Sequence, residues 1–212
     1  MHTNRCTWER GALLELQWPP HALQRLQAIE FRFETVDPPL LAGLLSLPAL
    51  TELQPAYVLL ECWAGLGGLS QLRSLSVDWA DDCTAEQRSA LESSLNSLPQ
   101  LAELFVALAL DECVGGPPLA LRLPALLSLD LRCVRLPSLS FLQHAPLVER
   151  LHLARCGEMA ADEALQSLRS FAPRLRRLEL DRCVRLTDEQ EWLLRPPSAL
   201  LPALAGFADL SI

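Results

Sequence analysis

The sequence predicts an α/β solenoid: a curved array with a parallel β-sheet on one face and helices and loops on the other. Three observations lead there. A six-residue unit of the form L-x-x-L-x-L recurs along the chain. Its first positions lie 24, 22, 29, 25, 22 and 27 residues apart. Several of the segments between units open with a helix-start signal followed by leucines at helical spacing. Self-similarity at such a period marks chains in which each unit buries its apolar side on its neighbours.

The units read Leu26-Ile29-Phe31, Leu50-Leu53-Pro55, Leu72-Leu75-Val77, Leu101-Leu104-Val106, Leu126-Leu129-Leu131, Val148-Leu151-Leu153 and Leu175-Leu178-Leu180. An eighth, Phe207-Leu210-Ile212, ends the sequence, giving about seven to eight repeats. In L-x-L the two apolar residues are two apart, so they share one side of a short strand. Parallel stacking then gives a sheet with a leucine inner side and a variable outer side. The strands holding Leu75, Leu104, Leu129, Leu151 and Leu178 are expected to be adjacent, parallel and in chain order. Leu129, Leu131, Leu151, Leu153, Leu178 and Leu180 are expected to be nearly inaccessible.

Each strand must return through a connecting segment. Thr84-Ala85-Glu86-Gln87 matches a capping box, in which Thr and Gln side chains satisfy amide donors at a helix start. Leu91, Leu95 and Leu98 follow on one helical side, and Pro99 stops the helix. Thr187-Asp188-Glu189-Gln190 repeats the signal before Trp192 and Leu193. Asp162 and Glu163 open a similar helix through Leu165 and Leu168. The Pro-rich returns 115–124 and 135–146 predict loops or single turns, and Gly65-Leu66-Gly67-Gly68 predicts a flexible turn into the strand at Leu72. Residues 1–25 read as an N-terminal cap, with Leu14 and Leu16 as a capping strand. Residues 26–212 read as the array itself, one domain overall.

Composition narrows the function. The 212 residues include 50 Leu but only two Ile, and Lys is absent, a bias that a GC-rich genome explains together with the scarcity of Asn, Met and Tyr. No apolar run reaches the ~18–20 residues of a membrane span, so membrane insertion is not expected. The net charge of −8 repels a phosphate backbone, and nucleic acid is not an expected partner. Basic residues cluster at Arg174, Arg176 and Arg177, then at Arg182 and Arg185, where a protein with an acidic patch can dock. Seven cysteines form no C-x-x-C pair. With no apolar leader and no Asn-x-Ser/Thr site, they predict a reducing compartment, cytoplasmic or nuclear.

Two units carry a fuller pattern. Leu151-His152-Leu153-Ala154-Arg155-Cys156 is followed by Met159, Asp162-Glu163 and Leu165. Leu178-Glu179-Leu180-Asp181-Arg182-Cys183 is followed by Leu186, Thr187-Asp188-Glu189 and Leu193. Residues 23–212 resemble leucine-rich-repeat proteins, and residues 151–194 resemble their cysteine-containing subtype, seen in F-box substrate receptors of ubiquitin ligases and related adaptors. The resemblance implies a non-catalytic protein-interaction module, with a structural subunit of a large organellar or cytoskeletal complex as the alternative. It carries no catalytic residue across. Glu34, Val58, Ala80, Ala109 and Val134 fill the subtype's Cys or Asn position in the earlier units, and no F-box-like segment precedes them.

The residues that invite chemistry have plainer readings. Cys156 and Cys183, one unit apart, are expected to stack in a bend as small buried groups, each S–H meeting a carbonyl. His152 and Cys156 are expected to point apart, which disfavours a Cys-His dyad. The Gly-rich segment lacks the Lys and Ser/Thr of a phosphate loop. No catalytic residue, metal site or cofactor is expected, and the chain is read as not an enzyme. Counting the first Leu as position one, positions five, seven and eight are expected to face outward. Phe33, Tyr57, Trp79 and Phe105 would then supply apolar anchors, the first three as a ladder on adjacent strands. Arg132, His152, Arg155, Asp181 and Arg182 would supply polar contacts to a protein partner.

Overall fold

Leucines at two-residue spacing need a surface to close against, and here each strand finds it on the next unit along the chain. The computed structural model describes residues 5–8, 24–31, 35–55, 57–79, 84–108, 120–134, 136, 138–156, 159–181, 183–185 and 209–211. Its strands are β1 (Arg5–Trp8), β2 (Ala28–Phe31), β3 (Thr35–Val36), β4 (Glu52–Gln54), β5 (Tyr57–Val58), β6 (Ser74–Trp79) and β7 (Glu103–Leu108). They continue as β8 (Ser128–Arg132), β9 (Arg150–Ala154), β10 (Met159–Ala160), β11 (Arg177–Asp181), β12 (Val184–Arg185) and β13 (Asp209–Ser211).

Nine of these strands form one sheet in the order β1-β2-β4-β6-β7-β8-β9-β11-β13, and every neighbouring pair is parallel. The remaining four pair as two-residue ribbons, β3 with β5 and β10 with β12. The chain is thus an α/β protein with an all-parallel sheet. The strands of Leu75, Leu104, Leu129, Leu151 and Leu178 are adjacent and in chain order, as the spacing predicts.

A single hydrogen-bond device sets the strand spacing. The carbonyl of Gln27 accepts from the N–H groups of both Thr51 and Glu52, and Thr51 in turn accepts from Arg73 and Ser74. Arg73, Ala102, Leu127 and Glu149 repeat this with Ala102–Glu103, Leu127–Ser128, Glu149–Arg150 and Arg176–Arg177. The register therefore passes from unit to unit without slipping, and Ile29, Leu53, Leu75, Leu104, Leu129, Leu151, Leu178 and Leu210 lie in one row.

That row, through Leu178, is at most 3% exposed. So is the second row of Val77, Val106, Leu131 and Leu153, each at 0%. Full burial of one such side chain contributes roughly 1.5–3 kcal/mol. A third row, Leu47, Leu69, Leu98, Leu123, Ala145 and Ala172, lies three residues before each unit. Its carbonyls accept from the N–H of Leu50, Leu72, Leu101, Leu126, Val148 and Leu175, closing the turn that enters each strand. Leu180 departs from expectation, being only half-buried.

The return segments follow their start signals. The Ala85–Asn96 helix carries the full capping box: the Gln87 N–H donates to Thr84 Oγ1 (3.2 Å) and the Thr84 N–H to Gln87 Oε1 (2.8 Å). Its Leu91 and Leu95, with Leu98 beyond, are buried. A helix spans Ala161–Phe171, where Asp162 and Glu163 predict one. The Thr187 signal and the Leu14–Leu16 strand lie outside the described residues. A helix over Pro38–Leu45 starts where the Asp37 carboxylate accepts from the Leu40 N–H at 2.9 Å, and a 3-10 turn covers Ser140–His144.

Two further differences have simple causes. The sheet reaches back into the N-terminal cap, because β1 pairs with β2 although Arg5–Trp8 contains no leucine. The glycine segment is not a flexible turn: Gly65 sits inside the Trp63–Leu66 helix and Gly67 caps it. A Cβ on Gly65 would come within 2.5 Å of Leu41, and one on Gly67 within 3.3 Å of the Ser94 backbone. These glycines permit close packing between successive returns.

Candidate protein-binding face

In a strand, residues two apart share a side. Positions four and six hold the buried leucines, so positions three, five and seven form the opposite side of the sheet. Glu103, Arg132, Arg150, Arg177 and Asp181 are exposed there, while Ser74, Ser76, Phe105, Ala107, Asp130, His152, Ala154 and Glu179 are half-exposed. From β6 to β11 the described side chains of this side reach solvent, whereas Ala28 on β2 is buried at 3%.

The side chains of that face interlock across four strands. The Arg132 guanidinium lies 5.0 Å from the centroid of the Phe105 ring on the preceding strand. It also donates twice to Asp130, through Nε to Oδ1 (3.1 Å) and through a terminal nitrogen to Oδ2 (3.0 Å). On the next strand His152 Nδ1 stands 3.1 Å from Asp130 Oδ2, and its Nε2 is 3.9 Å from Glu179 Oε2. Arg177 Nε donates to Glu179 at 2.6 Å. Arg150 donates to Glu103, two strands away, at 2.9 Å and to Ser128 Oγ at 3.2 Å. Phe105, Arg132, Asp130, His152, Glu179 and Arg177 therefore form a chain of contacts from β7 to β11. A stacked, bidentate Arg loses little further entropy on binding.

The placement of the sequence-predicted residues is uneven. Phe105, Arg132, His152 and Asp181 stand on the open face and Arg155 is exposed beside it. Phe33 and Arg182 lie outside the described residues, as do the side chains of Tyr57 and Trp79. The ladder of three aromatics rests on side chains that lie outside the described residues. Pairing of β4 ends at Gln54, before Pro55, and Tyr57 belongs to the β3–β5 ribbon. Trp79 ends β6 in register with Leu108.

Of the position-eight residues whose side chains are described, Cys133 is half-buried against the core and Arg155 is exposed. Both residues have a left-handed backbone, with φ 57° at Cys133 and 53° at Arg155; outside glycine such a conformation costs roughly 1–2 kcal/mol. The residues missed on the open face are those of position three: Glu52, Glu103, Arg150 and Arg177. Strict two-residue parity is the signal that identifies them.

The turn behind the face is sulfur-bonded. Cys156 Sγ donates to the Leu131 carbonyl (3.1 Å), and Cys183 Sγ to the Asp181 carbonyl (3.1 Å). The Cys183 sulfur also accepts from the Cys156 N–H at 3.2 Å. Its hydrogen bond and burial push the Cys156 thiol far above the ordinary range. Burial, with Glu61 and Asp37 adding, pushes Cys62 up to about 11. Both stay protonated at neutral pH, which is unsuited to nucleophilic attack. His152 faces Asp130 on the open side while Cys156 is 0% exposed, so the two form no dyad. Among the described residues no group of three His, Cys, Asp or Glu side chains is arranged to hold a metal ion, and no helix is long and apolar enough to cross a membrane. No family model matches the chain, and no curated protein matches it.

Proposed function

We propose that this chain is a leucine-rich-repeat solenoid working as a non-catalytic protein-binding module of the adaptor or substrate-recognition type, through the open face of its sheet. One observation carries the reading. From β4 to β11 the strands leave one side facing solvent, and that side is ordered in advance by the Phe105–Arg132–Asp130–His152–Glu179 contacts. Stacked parallel units expose just such an extended surface to partners. The aromatic ring and bidentate Arg at its centre are residue types that dominate interface energies.

The Cys156–Cys183 turn supports likeness to the cysteine-containing subtype, and hence an adaptor role of the ubiquitin-ligase kind. The free thiols of Cys62, Cys156 and Cys183 support a reducing compartment, cytoplasmic or nuclear. Affinity capture from cell extract, with wild type beside Phe105→Ala/Arg132→Ala, tests the reading. A partner retained by wild type and lost by at least about tenfold in the double variant, at equal melting temperature, is expected. Equal retention by both proteins would move binding off this face.

A further inference from the structure

The two ring nitrogens of His152 face different carboxylates on the open side of the sheet. Nδ1 stands 3.1 Å from Asp130 Oδ2 on β8, and Nε2 stands 3.9 Å from Glu179 Oε2 on β11. A neutral imidazole carries one N–H and one lone pair, and an ionised carboxylate only accepts. The shorter contact is a hydrogen-bond distance, so the hydrogen belongs on Nδ1. Nε2 then turns its lone pair towards a second acceptor. Arg177 engages the other oxygen of Glu179, Oε1, and leaves Oε2 to face the ring.

With the ring neutral, Nε2 and Oε2 are two acceptors 3.9 Å apart with no hydrogen between them. Both side chains are 27% exposed, so a group from outside can reach the gap. One N–H cannot satisfy both acceptors. Two hydrogens on a single nitrogen can, at the usual separations of about 2.9 Å. An ammonium group offers three hydrogens on one compact, positively charged nitrogen. The charges around the ring do not forbid it. From β8, Arg132 balances Asp130, and from β11, Arg177 balances Glu179. On β9 itself Arg150 is held by Glu103, and Asp181, exposed at the end of β11, is a further carboxylate nearby.

Resting on the protein-binding reading above, we infer that His152 and Glu179 form a seat for an ammonium group, a lysine side chain of the protein partner, and that proton uptake by His152 closes it. Imidazole is the side chain that ordinarily gains its charge between about pH 8 and pH 5. The added hydrogen sits on Nε2, turns that acceptor into a donor and points at Glu179 Oε2. Asp130, His152 and Glu179 then join three strands by themselves, and the cationic ring repels the ammonium. The partner's lysine is therefore held at neutral pH and released on acidification.

Nitrogen NMR spectra of the His152 ring in the isotopically labelled full chain test this without a partner. At about pH 8 the hydrogen is expected on Nδ1, with Nε2 the lone-pair nitrogen. The opposite tautomer would overturn the inference. Two probes are then titrated at fixed ionic strength: Nα-acetyl-lysine amide, and Nα-acetyl-norleucine amide, which lacks the ammonium. The lysine probe alone is expected to shift the Nε2 signal at about pH 8, and the shift is expected to vanish at about pH 5. It is also expected to vanish in Glu179→Gln, checked by thermal melt, while the tautomer and pH comparisons stand on wild type alone. An equal response to both probes, no response, or a response that persists at about pH 5 would remove the seat. That outcome beside a captured partner that still needs Phe105 and Arg132 leaves protein binding standing. A partner retained equally by Phe105→Ala/Arg132→Ala removes the reading on which the seat rests.

Discussion

The backbone N–H of Cys156 donates to the sulfur of Cys183 at 3.2 Å, so one unit of the chain caps the turn of the unit before it. The acceptor is buried with its donor, at 1% and 0% exposure. Cys183→Ala should therefore leave a buried amide without its partner and lower stability by about 1–3 kcal/mol. Urea melts of wild type and variant measure it, and a difference below about 0.5 kcal/mol would show that the bond contributes nothing net.

Leu153 is completely buried in the row it shares with Leu131, whereas its register partner Leu180, on the next strand of the sheet, is only half-buried. Leu153→Ala should cost about 2–5 kcal/mol through lost burial and a cavity that does not collapse. Leu180→Ala should cost distinctly less. Equal costs would mean that Leu180 is as enclosed as its neighbours.

The Thr84 capping box satisfies amide donors at both ends of a reciprocal pair. Thr84→Ala should lower stability by about 0.5–2 kcal/mol. Thr84→Ser keeps the hydroxyl and should stay near wild type, a contrast that circular-dichroism melts resolve.

Cys62 links stability to alkaline pH. Its thiol is raised from 9.0 to about 11 in the folded protein, first by burial and then by Glu61 and Asp37. Between those values the unfolded chain has released a proton that the folded chain keeps, so the stabilisation is present below pH 9 and is lost as pH rises towards about 11. Denaturant melts across that window should fall more steeply for wild type than for Cys62→Ala, and parallel slopes would mean that Cys62 ionises as readily folded as unfolded.

Much of this architecture was legible because it is written in side-chain period. Leu75, Leu104, Leu129, Leu151 and Leu178 announce their strands through the L-x-L spacing, and Thr84 with Gln87 announces its helix through a local hydrogen-bond pattern. Features set by neighbours in space were not. Arg5–Trp8 joins the sheet by pairing with β2 without any leucine to mark it. Gly65 and Gly67 are small because Leu41 and Ser94 press on them from other returns, which reads in sequence as a loop. The face itself was half legible: Phe105, Arg132 and His152 follow from parity at positions five and seven. Arg150 and Arg177 were missed because position eight, where Cys133 turns back towards the core, was counted in place of position three.

The central claim is that partners meet this protein on the open side of its sheet. Its most direct measurement places a photo-crosslinking amino acid at Ala154, half-exposed in that face, and separately at Ser93, exposed on the Ala85–Asn96 helix. Illumination in cell extract should join position 154 to one partner protein and leave position 93 without that crosslink. The same partner joined to position 93 and absent at 154 would contradict the account, placing recognition on the helical returns and leaving the ordered Arg132–Asp130–His152 face without a role in binding.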